Sequence, residues 1–305
     1  TPAAVSVFDV STTAVTKIST DSGTQDYNVA PMACDFNRTG RLVLLWGRRD
    51  QHAGTLVGEI MISRSVDEGT SWSTPEVLLP AISGKDRRDT TPTAFGNMVL
   101  VAATVFDGWG TDDNCYTEIH RSYDAVTFTE IGTAQPSNAT VGTMLGYNRA
   151  VFNGAMQLLA DGTLVCGGFE SNSRQNSGQV FYRSVCWRSA DNGATWSVVE
   201  IYPPTFGDDT NRATILRNPN ETCIITDPDD GTTLVAFSRV SGGNGWTGDN
   251  GLGSELRRFE SADGGLTWDA GAAVEFARWG QALPYVQILP DGRWVLPHRN
   301  STLNH

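Results

Sequence analysis

The sequence carries little charge and almost no lysine. Charged residues make up 18% of its 305 positions, and Lys17 and Lys85 are its two lysines. A disordered chain would be richer in charge and poorer in aromatic residues, which here reach 9%. Ala, Glu, Lys and Leu are too sparse for a coiled coil or a long-helix protein. No apolar run approaches the roughly 18 residues of a membrane-spanning helix, so no span is expected. Basic residues number 22 against 34 acidic ones, a net charge of −12, which is the wrong sign for a nucleic-acid partner. An acidic, lysine-poor surface suits a secreted or surface-exposed protein. The five cysteines, Cys34, Cys115, Cys166, Cys186 and Cys223, show no CxxC or metal-ligand spacing. Buried free thiols are expected, with a Cys166–Cys186 bridge as the alternative. No metal or cofactor is implied.

What the sequence does have is repetition. Ser65-Val-Asp67-Glu-Gly69-Thr-Ser71-Trp72 recurs as Ser189-Ala-Asp191-Asn-Gly193-Ala-Thr195-Trp196 and as Ser261-Ala-Asp263-Gly-Gly265-Leu-Thr267-Trp268. A degraded copy, Ser122-Tyr-Asp124-Ala-Val-Thr127-Phe128, is one residue short and lacks the glycine. A second signal runs in phase with these motifs. Turn dipeptides stand at Thr39-Gly40, Phe95-Gly96, Asp161-Gly162, Asp230-Gly231 and Asp291-Gly292 between apolar runs. The first four turn glycines precede the next motif serine by 25, 26, 27 and 30 residues.

Each unit therefore reads strand, tight turn, strand, variable loop, strand, motif, strand. In the first unit the strands are Met32–Phe36, Leu42–Trp46, Glu59–Ser63 and Glu76–Leu79. Gly supplies the positive φ that such hairpin turns need. No segment keeps a helical period over a dozen residues. Four-stranded antiparallel units repeating about every 60 residues predict an all-β chain, a β-propeller, filling residues 1–305 as one domain. The runs Val5–Val10 and Val15–Ile18, within the first 26 residues, would complete the last blade and close a five-bladed ring. A chain continuing past His305 would make six.

Within each unit the motif is structural. Its Asp accepts N–H groups inside the turn, its Gly takes a conformation closed to other residues, and its aromatic packs between strands. One carboxylate per copy is too few to hold calcium. In an up-and-down unit the glycine turns and motifs share one end, and the long polar loops share the other. Those loops bring Arg48-Arg49-Asp50-Gln51-His52, Asp107-Gly-Trp109 through Asn114, Glu170 through Gln175, Arg239 with a Gly-rich stretch containing Trp246, and His298-Arg299-Asn300. Entry strands add Arg88-Asp89, Arg149 and Glu221. Arginine forks, carboxylates and indole rings on one face suit a polar, acidic carbohydrate.

The three good motif copies and the site segments resemble the sialidases (neuraminidases) with their Asp-box repeats, from about residue 27 onward. The resemblance implies a propeller of sialidase type and an exo-acting glycosidase that removes a terminal acidic sugar. By it Asp50 is the proton donor, with Arg48 or Arg49 beside the substrate carboxylate. Glu221 matches the glutamate that activates a nucleophilic tyrosine, and Arg239 and Arg299 match two arginines of a carboxylate-binding triad. The pattern's first triad arginine is replaced by Val29, and its tyrosine has no counterpart before His305. A glycan-binding propeller without turnover is the alternative, as an adhesin or virion part. A propeller lyase, with His52 or His298 as base, or a glycosidase for another sugar would also fit these residues.

Overall fold

The structure is a computed structural model that describes residues 27–36, 40–49, 57–107, 114–138, 146–172, 180–206, 215–241, 255–274, 284–289 and 292–296. The expected N-terminal strands within residues 1–26 lie outside the described residues. Every regular element described is a β-strand.

Four antiparallel units follow one another. The first comprises β1 (Tyr27–Phe36), β2 (Arg41–Arg49), β3 (Val57–Ser65) and β4 (Glu76–Leu79). The second has β5 (Lys85–Phe95), β6 (Met98–Asp107), β7 (Asn114–Ser122) and β8 (Thr129–Ala134). The third has β9 (Arg149–Leu158), β10 (Leu164–Ser171), β11 (Tyr182–Ser189) and β12 (Ser197–Tyr202). In the fourth, the short β13 (Thr205–Phe206) precedes β14 (Ile215–Thr226), β15 (Leu234–Ser241), β16 (Glu255–Ser261) and β17 (Ala272–Ala273). A hairpin of β18 (Gln287–Ile288) and β19 (Trp294–Val295) follows.

The units are less separate than the sequence suggested. Short parallel pairings, Val57↔Lys85 with Gly58↔Asp86 and Cys115↔Arg149, join the first three into one curled twelve-stranded sheet. Apolar layers fill the seams: Leu45, Ile60, Val101 and Ala103 between units one and two; Leu100, Phe152 and Trp187 between two and three; Val165, Ile224 and Phe259 between three and four. Phe152 stacks on Trp187 at 5.2 Å and meets the motif residue Trp196 edge-on at 4.9 Å.

The turn chemistry follows the expectation. Gly40, Gly96, Gly162, Gly231 and Gly292 all have positive φ, as do the motif glycines Gly69, Gly193 and Gly265. In the first motif Asp67 accepts from Ser65 Oγ and Ser71 N, both at 2.8 Å, and from Ser71 Oγ at 2.6 Å. Asp191 and Asp263 repeat that pattern. In the degraded copy Ala125 takes the left-handed conformation at φ 58. Glu68 N donates to Gly40 O at 3.0 Å, so motif and glycine turn share one end of the first unit.

All five cysteines are free thiols. Cys166 pairs with Trp187 in the ladder, and Cys186 with Gly167. Side chains at successive positions alternate in direction, so the two sulfurs lie on opposite faces of the sheet, one in the core shared with unit two and the other in the core shared with unit four. The Cys166–Cys186 bridge is thereby ruled out. No described helix is long and apolar enough to cross a membrane.

Candidate functional site

The end opposite the motifs is built from strand ends. Arg48 and Arg49 finish β2, Lys85–Asp89 open β5, Arg149 opens β9, Glu221 sits in β14 and Arg239 near the end of β15. Asp50, Trp109, Trp246 and Arg299, together with His52 and His298, lie outside the described residues. Val29, where the resemblance calls for an arginine, pairs with Gly47 through the backbone.

Arg48 and Arg49 are adjacent but differently employed. Arg48 grips Glu59 on the next strand through Nε, at 2.7 Å, and through Nη2. Arg49 is wholly buried, and its Nη1 reaches Asp86 Oδ2 at 3.4 Å. The Nε and Nη2 of Arg49 and the Oδ1 of Asp86 have no hydrogen-bond partner. Burial, then the neighbouring Arg88, makes the Arg49 charge costly and lowers its pKa, although a guanidinium stays protonated. Burial likewise pushes the Asp86 carboxyl up, against the pull of Arg88 and Arg49.

Arg88 and Arg149 come from neighbouring units and meet on one ring, their guanidinium carbons 4.9 and 5.7 Å from the Phe106 centroid. Arg88 Nε donates to Asp89 Oδ2 at 3.2 Å. Asp89 has φ 50, and the β5–β6 ladder shifts register between Arg88 and Thr90. A non-glycine residue in that conformation, at a bulge, is the kind of backbone strain that collects at functional sites.

Arg239 Nη1 donates to Glu221 Oε2 at 2.9 Å. A second register shift, between Pro219 and Thr222, bends β14 there, and Asn220 Oδ1 accepts the Glu221 N–H at 2.8 Å. Glu221 is therefore the counter-ion of Arg239 in this structure. The two side chains keep 24% and 15% exposure, so the pair is within reach of solvent, while the buried Arg239 Nε has no partner.

The arginines of this end and its surroundings divide by what fills their guanidinium edge. The Nε–Nη2 edge takes a two-oxygen anion side-on. It is filled by Glu59 on Arg48, by Glu118 on Arg87 (3.0 and 3.1 Å) and by Glu170 on Arg183. On Arg49 both donors of that edge are empty, and on Arg239 the Nε is. Thr90 Oγ1, Thr104 Oγ1 and Ser171 Oγ, near the same end, are also buried without partners. Such groups carry a desolvation cost that a polar ligand or water would relieve.

Sequence reasoning missed Asp86, Glu59 and Glu118. The available signal was the run Lys85-Asp86-Arg87-Arg88-Asp89, five successive charges opening a strand that is otherwise packed on both faces. Among the described residues no group of His, Cys, Asp and Glu could hold a metal ion.

The fold this end crowns is of the sialidase type. No family model matches the chain, and no curated protein matches it. Solved structures do. A protein of unknown function from Dyadobacter fermentans is 19% identical with a TM-score of 0.65, covering 90% of this chain and 76% of that one. NanB sialidase from Streptococcus pneumoniae, as its K499G mutant, is 13% identical with a TM-score of 0.64, covering 93% and 58%. Trypanosoma rangeli sialidase bound to 2,3-difluorosialic acid as a covalent intermediate is 17% identical with a TM-score of 0.57, covering 88% and 42%. The chain thus spans about half the length of these sialidases, and at such identities the likeness is one of fold.

Proposed function

We propose that the protein is a glycoside hydrolase of the sialidase kind, a β-propeller that removes a terminal acidic sugar from a glycan outside the cell or at its surface. The four described units are then blades. The observation that carries the reading is a pair of arginines with open edges at the loop-bearing end, the wholly buried Arg49 and the partly exposed Arg239. Buried guanidinium donors without partners favour a ligand that brings an anion or several acceptor oxygens. In the proposed reaction Asp50 protonates the leaving oxygen as a tyrosine hydroxyl, the nucleophile that the sialidase resemblance implies, attacks the anomeric carbon and passes its proton to Glu221. Arg49, Arg239 and Arg299 hold the carboxylate, and Trp109 and Trp246 stack on the sugar.

A second reading is a glycan-binding propeller without turnover. Two features favour it: Val29 in place of an arginine, and Glu221 already tied to Arg239. One experiment separates the readings. Sialic acid and its methyl ester are titrated against the protein, and an aryl sialoside is offered for hydrolysis. The acid should bind more tightly by about 1.5–3 kcal/mol for each charged hydrogen bond that the ester loses. Release of the aryl group supports the hydrolase; binding without release supports the lectin-like reading. Equal affinity for acid and ester would remove the acidic-sugar reading and leave Glu221 as a structural counter-ion.

A further inference from the structure

We propose that the buried cluster Arg87–Glu118–His120 is a positioning device, which holds Arg88 and Asp89 in the candidate site from the opposite face of the sheet. The proposal rests on the reading of that site as a ligand-binding one.

Arg87 lies between Asp86 and Arg88 on β5, and alternation along a strand sends its side chain the other way. Its Nε and Nη2 bond Glu118 Oε2 and Oε1 on β7 at 3.0 and 3.1 Å. His120 Nε2 stands 3.3 Å from Glu118 Oε2. Arg87 Nη1 also bonds the Pro80 carbonyl, in the link arriving from unit one. Glu118 and His120 oppose Ala103 and Val101, which pack in the seam between units one and two. Arg88 is on the other side, over Phe106 in the small cluster with Val151 of unit three. All three members of the cluster are at most 9% exposed. Burial alone would raise the Glu118 carboxyl, but the hydrogen bonds from His120 and Arg87 outweigh it and hold the carboxyl below its ordinary range.

Buried charges of this kind are costly compared with apolar residues of the same volume, so stability alone gives little reason for them. The register supplies one. Arg88 pairs with Thr104 and Thr90 with Ala103, so Asp89 is the extra residue in the ladder. A bulge can migrate, and moving it by one residue would send Arg88 to the wrong face. The two-point grip on Arg87, one residue before Arg88, fixes which face each charge takes. It also holds Asp89 at φ 50, a conformation that persists where its surroundings over-determine it.

The test uses Glu118→Gln, which keeps the shape and removes the charge, and His120→Gln, which leaves the Arg87–Glu118 pair in place. Amide hydrogen exchange is followed by peptide, and sialic acid affinity is titrated on the folded proteins. Glu118→Gln should raise exchange in the peptide spanning 85–95 by about tenfold or more, leave peptides of units three and four unchanged, and weaken sialic acid binding by a similar factor. His120→Gln should do the same to a smaller degree, and it carries the test if Glu118→Gln does not fold. Unchanged exchange at 85–95 in a folded variant, or a uniform rise over all units, would overturn the positioning role. Failure of the wild-type protein to bind sialic acid would instead overturn the functional reading, whatever the exchange shows.

Discussion

At the scale of single residues, most of what could be read in advance came from glycine. The turn glycines and the motif glycines all take the left-handed conformation their spacing required. Their surroundings differ, and that difference is measurable. A Cβ added at Gly231 meets nothing within 4 Å, whereas at Gly265 it lies 2.9 Å from Cys186 Sγ and 3.3 Å from Leu234 Cδ1. Gly231→Ala should therefore cost only the conformational part, about 1–2 kcal/mol. Gly265→Ala should add overpacking to it, for a total of roughly 2–5 kcal/mol. Urea midpoints of the two variants decide this; equal losses would mean that the Cys186 side accommodates a methyl group freely. The ion pairs were less legible for a physical reason. Asp86 meets Arg49 and Glu118 meets Arg87 across 37 and 31 positions of sequence, and nothing local marks either pair.

At the scale of elements, the eight-residue motif shows why a repeat can be read so far ahead of its structure. The side-chain hydrogen bonds within it span at most four residues, so the sequence window contains both partners. The charged opening of β5 is the contrary case: Arg88 and Asp89 were visible as site candidates, but the bulge at Asp89 depends on a ladder with β6. The motif also carries a pH dependence. Hydrogen bonds from Thr195 and Ser189 bring the Asp191 carboxyl down to about 2, and Thr267 chiefly does the same for Asp263, also to about 2. Asp67 is lowered in the same way, mainly by the Ser71 hydroxyl. A depressed folded pKa means that the unfolded chain binds protons first. The contribution is thus complete above the unfolded value of about 3.9 and disappears as pH falls through the folded one. Denaturant midpoints should hold from neutral pH to about 4 and then drop toward pH 2. Asp191→Asn should start lower at neutral pH and show a shallower acid drop. A parallel drop in the variant would show that this carboxylate has no part in it.

At the scale of the whole molecule, the candidate site depends on how closely successive units approach, because its residues come from strand ends in each of them. That approach is set where side chains are missing. Gly58 in β3 faces the Asp86 carboxylate and the Arg87 backbone across the first seam, Gly132 in β8 faces Ala194 of the third unit, and Gly167 in β10 lies against Thr222 and Cys223 of the fourth. An added Cβ would come within 2.4, 2.2 and 2.3 Å of a backbone oxygen at these places. Backbone of this kind cannot swing aside as a flexible side chain can, so the neighbouring unit itself must move. Thr222 directly follows Glu221, whose contact with Arg239 closes the fourth unit's part of the site. Gly167→Ala should therefore do two things. It should destabilise the fold by about 1–3 kcal/mol through overpacking. It should also weaken sialic acid binding in the protein that remains folded, although residue 167 is remote from the proposed ligand in sequence and adds no charge. Gly162→Ala serves as the control, since its Cβ meets nothing within 4 Å and its turn lies at the motif end. Thermal melts and sialic acid titrations of the two variants give the answer. A loss of stability alike in both, with affinity untouched in Gly167→Ala, would mean that the seam carries strain without passing it to the site.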